Sequence, residues 1–218
     1  MRLIAAFAAL LVAAPLAAQA TAKPASSDPD KTVAGGLSVP GWTARFDKPA
    51  STPAQVKFTQ MGPGMHVTSG PAAIYYDAKN TASGNYTTTA TFTQTKASTH
   101  PEAYGLFVGG SALQDAGQRY LYFVVRQDGK YTVKHRAGTE VHTIVDWTAS
   151  PAVKQIEGAG KATNVLTVRV AADSVRFAVN GTEVHKIARA QAMDVDGVAG
   201  LRVNHNLDVH VDGFAIKK

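Results

Sequence analysis

Residues 84–95, GNYTTTATFTQT, alternate strictly. Tyr86, Thr88, Ala90, Phe92 and Gln94 point one way and Thr87, Thr89, Thr91, Thr93 and Thr95 the other. A period of two is that of a pleated strand, and a threonine stripe suits its half-wet face. RYLYFVVR at 119–126 repeats the pattern, with Leu121, Phe123 and Val125 on one face and Tyr120, Tyr122, Val124 and Arg126 on the other. Asp128-Gly129 follows as a turn signal and YTVKHR resumes the alternation, which predicts a hairpin over 119–136. Val141, Thr143, Val145 and Trp147 are expected on one side of the next strand, and Leu166, Val168 and Val170 inward on the one after. Asn180-Gly181 sets a second hairpin between SVRFAV and TEVHKI, and GVAGLRV and LDVHVDGFAI close the chain. Shorter candidates lie at 56–59, 65–68, 72–76 and 103–109.

No segment after residue 20 carries a helical period. About a dozen short strands without crossover helices must pair antiparallel, and that many exceed one open sheet. The expected fold is an all-β, antiparallel two-sheet jelly-roll sandwich in one domain over 41–218. The chain's start differs. Arg2, an apolar run over 3–16 broken by Pro15, and the small-x-small site Ala18-Gln19-Ala20 read as a cleavable signal peptide over 1–20. Residues 21–40, rich in Ala, Ser, Pro, Asp, Lys and Gly, read as a flexible leader. The expected address is periplasmic or secreted, with no membrane span after cleavage.

Composition narrows the chemistry. There is no cysteine, so disulfides and thiolate metal sites are excluded. The formal net charge of +6 is scattered, without a Lys/Arg run, and predicts no nucleic-acid groove. The sequence has no G-x-S-x-G elbow, no H-E-x-x-H helix and no phosphate-cradling glycine loop, and no cofactor or metal is expected.

Three groups of residues remain as candidates. Asp208, His210 and Asp212 share one face of the last strand, the other carrying Leu207, Val209 and Val211. They form either a catalytic row or simply a wet face. Glu102 is a further candidate acid beside His100, and Asp146 another beside Trp147. Asn204-His205-Asn206 is a polar cluster between the closing strands. Lastly Tyr120, Tyr122 and Arg126 share a strand face, Lys134 and Arg136 share one on the hairpin partner, and Trp147 ends the following strand. Aromatic rings stack on the apolar faces of sugars while Arg, Asn and His hydrogen-bond hydroxyls. Tyr120, Tyr122, Arg126, Arg136, Trp147, Asn204, His205 and Asn206 are therefore the candidate ligand-binding residues for carbohydrate, and Glu102, Asp208 and Asp212 the candidate catalytic acids.

The runs HPEAYGLFVGG (100–110), YLYFVVRQDGKYTVKHR (120–136), DWTASPAV (146–153) and GLRVNHNLDVHVDGF (200–214), with the Asn180-Gly181 hairpin, resemble exported bacterial proteins of the concanavalin-like lectin/glucanase superfamily. Within it they are nearest to 3-keto-disaccharide hydrolase domains. The resemblance covers most of 41–216 and implies a jelly roll with a sheet face that holds glycan. The paired-acid strand motif of jelly-roll glucanases is missing, and Asp208-Val209-His210-Val211-Asp212 only echoes its spacing. Three readings follow: an exported carbohydrate-binding jelly roll, a glycoside-acting hydrolase of the 3-keto-disaccharide hydrolase type, or an envelope structural protein without a small ligand.

Overall fold

The structure, a computed structural model, describes residues 28–158 and 160–218. The stretch read as a signal peptide and the start of the one read as a leader lie outside the described residues. Sixteen strands follow in chain order: β1 (Gly36–Leu37), β2 (Trp42–Phe46), β3 (Lys57–Met61), β4 (Gly64–Thr68), β5 (Ala73–Asp77), β6 (Thr81–Ala82), β7 (Tyr86–Gln94) and β8 (Ala103–Ser111). Then come β9 (Arg119–Arg126), β10 (Lys130–Ala137), β11 (Glu140–Ala149), β12 (Ala162–Val170), β13 (Ser174–Val179), β14 (Thr182–Ala188), β15 (Gly197–Val203) and β16 (Asp208–Lys217). Two short 3-10 turns, Pro53–Gln55 and Arg189–Gln191, complete the regular structure.

The strands form two sheets packed as a jelly-roll sandwich. The first runs β1-β3-β4-β16-β7-β12-β13-β14 and the second β11-β10-β9-β8-β15-β5-β2, with β6 pairing β15. All pairs are antiparallel except β1 with β3, which run parallel. The N-terminal segment read as a leader carries β1 and is tied down before it. Val33 N–H donates to the Gln55 carbonyl at 3.2 Å and Gly36 N–H to that of Val56 at 2.8 Å.

The alternation read from the sequence sorts the faces. Tyr86, Ala90, Phe92, Leu121, Phe123, Val125, Leu166, Val168, Val170, Val209 and Val211 all join one core between the sheets. Burying each large apolar side chain there is worth roughly 1.5–3 kcal/mol. The Asn180-Gly181 turn has the left-handed geometry it needs, φ +51° and +81°. Asn180 does more than turn: its Oδ1 accepts from Val165 N–H and its Nδ2 donates to the Ala152 carbonyl, both at 2.8 Å.

One expected face is corrected. Two register shifts interrupt the β10–β11 pairing, between Tyr131 and Val133 and between Val133 and Lys134. An extra residue in a ladder flips every side chain beyond it. Val145 therefore enters the core. Val141 stays exposed, and Trp147 meets Arg126 and Lys134 instead of following Val145 inward.

Candidate functional site

The outer face of the second sheet carries its own apolar layer. Ile74, Tyr76, Phe107, Leu113 and Tyr120 form a cluster separate from the inter-sheet core, with Tyr122 and Val198 packed against it. The two-residue period sends these residues out because Tyr75, Leu106, Leu121 and Leu201 go in. Pairing then sets the polar residues beside them: Arg202 lies opposite Ile74 and Gly105, Arg136 opposite Tyr120, and Lys134 opposite Tyr122.

At the centre is Arg202, 6% exposed. Its two terminal nitrogens each donate to one oxygen of Asp47 at 2.6 Å, a fork-on-fork pair. Its Nε donates to Asn204 Oδ1 at 3.2 Å, and the guanidinium sits 5.7 Å from the Tyr122 ring centre. Arg136 Nη1 approaches the same Asp47 at 3.3 Å. Burial alone would raise the Asp47 pKa, but the charge and hydrogen bonds of Arg202, then Arg136 and Arg45, outweigh it and hold the carboxyl below the usual range. Burial pushes the Tyr122 phenol up to about 12, and Tyr120 also up, so both are neutral hydroxyl groups at physiological pH.

A chain of polar contacts continues to the rim. Asn204 Nδ2 donates to Glu102 at 3.2 Å. His205 stands between two carboxylates, Nε2 to Glu102 at 2.8 Å and Nδ1 to Asp30 at 3.0 Å. Asp30 in turn pairs with Lys48. At the other end of the face, Arg126 forks onto Asp128 at 2.7 and 2.8 Å and lies 4.2 Å from the Trp147 ring centre, with Lys134 Nζ at 5.8 Å.

The expected residues are thus partly gathered. Tyr122, Arg136, Asn204 and His205 converge with Glu102 around the Arg202–Asp47 pair, and Arg126 and Trp147 form a second patch on the same face. Tyr120 is a correction: at 1% exposure it lies beneath that surface and supports it from within. Asn206 is another. It adopts φ +55°, and its amide is taken by the N-terminal segment, accepting from Lys31 N–H at 2.8 Å and donating to the Pro29 carbonyl at 3.0 Å. Sequence reasoning missed Arg202 and Asp47. The alternation Leu201-Arg202-Val203 does mark an arginine facing outward, but its partner lies 155 residues away.

Asp208, His210 and Asp212 sit elsewhere, on the outer face of the first sheet. Register sets Thr59, His66, His210, Thr93 and Thr163 side by side across five strands. Asp208 bonds His66 at 3.0 Å and Lys96 at 3.2 Å, and also the Thr95 hydroxyl; His210 bonds Asp212 at 3.2 Å. No group of three or more His, Asp or Glu side chains among the described residues is placed to hold a metal ion. Burial lowers the His66 pKa below its ordinary 6.5, Asp208 opposes this and His210 adds to it. The folded protein therefore keeps His66 neutral where the unfolded chain protonates. Stability contributed this way is full above pH 6.5 and declines as pH falls below it. The expected result is an unfolding free energy, from urea denaturation, that drops between about pH 7.5 and about pH 5.5, by at most ~1.4 kcal/mol per pH unit from this group, and drops less in His66→Gln. Identical pH profiles for the two proteins would contradict the assignment.

No protein-family model matches the chain, and no curated protein does. Among solved structures it is similar to the carbohydrate binding module CBM66 from Bacillus subtilis, with a TM-score of 0.60 and 12% identity over 86% of this chain and 99% of that one. A Bacillus subtilis protein of unknown function with a galectin-like fold matches with a TM-score of 0.57 and 10% identity, over 81% of this chain and 88% of that one. At these identities the likeness is one of fold, a two-sheet sandwich.

Proposed function

We propose that this chain is an exported, periplasmic or secreted, carbohydrate-binding jelly roll, and that its binding surface is the outer face of the second sheet. The observation that carries the reading is the convergence of Tyr122, Arg136 and Asn204 around the buried Arg202–Asp47 pair. An ion pair locked from below holds hydroxyl, guanidinium and amide groups in fixed directions, as recognition of a polyhydroxylated ligand requires. The shared architecture with a carbohydrate binding module supports it. Affinity electrophoresis through polysaccharide-containing gels tests it. The protein is expected to be retarded, and Tyr122→Ala with Arg136→Ala to relieve the retardation by about tenfold in apparent affinity. No retardation on any polysaccharide, or equal retardation of the variant, would overturn it.

The hydrolase alternative leans on Glu102, the candidate acid on this side of the molecule. Asp208 and Asp212 occupy the outer face of the other sheet, so neither shares a cleft with Glu102 in which two carboxyls could flank one glycosidic bond.

A further inference from the structure

We propose, resting on the carbohydrate-binding reading above, that the glycan this face takes is an acidic one, a polysaccharide carrying carboxylates of the uronate type. The outward positions of the second sheet hold six cations: Arg45 on β2, Arg126 on β9, Lys130, Lys134 and Arg136 on β10, and Arg202 on β15. Only two carboxylates answer them directly, Asp47 and Asp128. At the rim, Asp30 pairs with Lys48, and the His205 ring lies at hydrogen-bond distance from both Asp30 and Glu102.

The chain's net charge of +6 includes Arg2 and Lys23, which precede the described residues. With histidine counted as neutral the described residues carry an excess of four; this face carries four, or three with Asp30, Glu102 and Lys48 of its rim, so most of the excess lies here. Elsewhere Arg119 pairs with Asp194, Arg176 with Glu183, Arg189 with Asp196 and Lys96 with Asp208, while Lys57, Lys79, Lys154 and Arg169 stand in no ion pair among the described residues, so what marks this face is its net excess of cations and not their lack of partners. Concentrated charge of one sign attracts the other.

Local geometry says where the anion goes. Three guanidinium groups, from Arg202, Arg136 and Arg45, act on the single Asp47 carboxylate. Arg45 is otherwise bonded to the Gln114 carbonyl at 2.7 Å. Lys134 has no carboxylate within ion-pair distance among the described residues, and it lies opposite Tyr122 in the ladder. A second carboxylate from outside would meet a donor surplus there, and planar guanidinium forks fit planar carboxylates.

The Trp147 patch points the same way. Its ring already carries Arg126 at 4.2 Å and is approached by Lys134, so on that side the cations, more than the ring, meet a ligand. A neutral sugar would leave the surplus unmatched.

The test compares polygalacturonate with the same polymer methyl-esterified, by affinity electrophoresis and calorimetry on the full chain. Duplex DNA and phosphatidylglycerol vesicles serve as other polyanions. The expected result is binding of polygalacturonate at least about tenfold tighter than of the ester, weakening steeply from about 0.05 to about 0.5 M salt. Lys134→Gln with Arg45→Gln, both at partly exposed positions, is expected to remove most of that preference while leaving the urea midpoint unchanged. Equal binding of acid and ester, or binding of neutral glycans alone, overturns the acidic assignment and leaves the carbohydrate reading standing. Binding of no glycan at all removes both. DNA or vesicles bound as tightly as polygalacturonate would mean general polyanion attraction, and would also overturn the proposal.

Discussion

Replacing Asp47 with asparagine is expected to destabilise the protein by ~3 kcal/mol, because removing one partner of a buried ion pair leaves the other charge uncompensated. Arg202 is 6% exposed and cannot turn to water. Both of its terminal nitrogens rest on Asp47 at 2.6 Å. An asparagine would keep one acceptor, lose the charge, and turn an N–H₂ toward donors. The reverse change, Arg202→Met, is expected to cost less, ~1–2 kcal/mol. Asp47 is 28% exposed at its side chain and keeps Arg136 at 3.3 Å, while an apolar side chain suits the buried site. Urea denaturation of the two variants decides it. At roughly 2–4 °C per kcal/mol, the asparagine variant should melt some 6–12 °C lower. If Arg202→Met proved the more damaging, the pair would not be organised around a buried guanidinium.

Acid should act on the same pair. The lowered pKa of Asp47 means that its contribution is present above the ordinary value of 3.8 and lost as pH falls through the lower folded value. Asp194, held down by Arg119 and His135 against its own burial, titrates in the same direction.

The second large effect is expected in the core. Phe123 on β9 is 0% exposed and its ring centre lies 5.3 Å from Phe177 on β13, so it bridges the two sheets. On its own side it meets Tyr131 at 6.1 Å. Phe123→Ala is expected to cost ~4 kcal/mol, the lost transfer energy plus that of a cavity that sheets cross-braced by hydrogen bonds cannot collapse to fill. Phe123→Leu should recover more than half. A loss under ~1.5 kcal/mol for the alanine variant would mean that the sheets are not locked together at this point. A domain's whole stability is ~5–15 kcal/mol, so either variant should still fold under mild conditions.

These two residues differ in how they show themselves in the sequence. Phe123 announces itself: it is the middle of Leu121-x-Phe123-x-Val125, and any antiparallel sandwich buries one face of such a run. Arg202 is equally readable as an outward residue between Leu201 and Val203, but nothing nearby says that it is buried. Its burial comes from its neighbour Asn204 and from Asp47, Tyr120 and Tyr122, which reach it from two other segments of the chain.

The same contrast separates the rest of the site. Tyr122, Arg136, Asn204 and His205 were legible as candidates because strand period and hairpin register are local properties. Which of them face a ligand was not. Trp147 leaves the side of Val145 because of a register shift between Tyr131 and Val133, which no turn residue marks. Asn206 belongs to the same polar cluster in the sequence, but the N-terminal segment takes its side-chain amide, a contact spanning 175 residues. The Asp208-His210-Asp212 row was legible as a wet face, while the neighbouring His66 that gives Asp208 its partner comes from β4.

By itself, then, the sequence determined the strands, the two hairpins with their turn dipeptides, and the division of each strand into an inward and an outward side. Those follow from periodicity and backbone preference within a few residues. Tertiary structure decided which outward residues meet, that an arginine lies buried among tyrosines on an outer face, and that most of the excess positive charge collects on one sheet. Those depend on strand order, and strand order is settled by the packing of residues far apart in the chain.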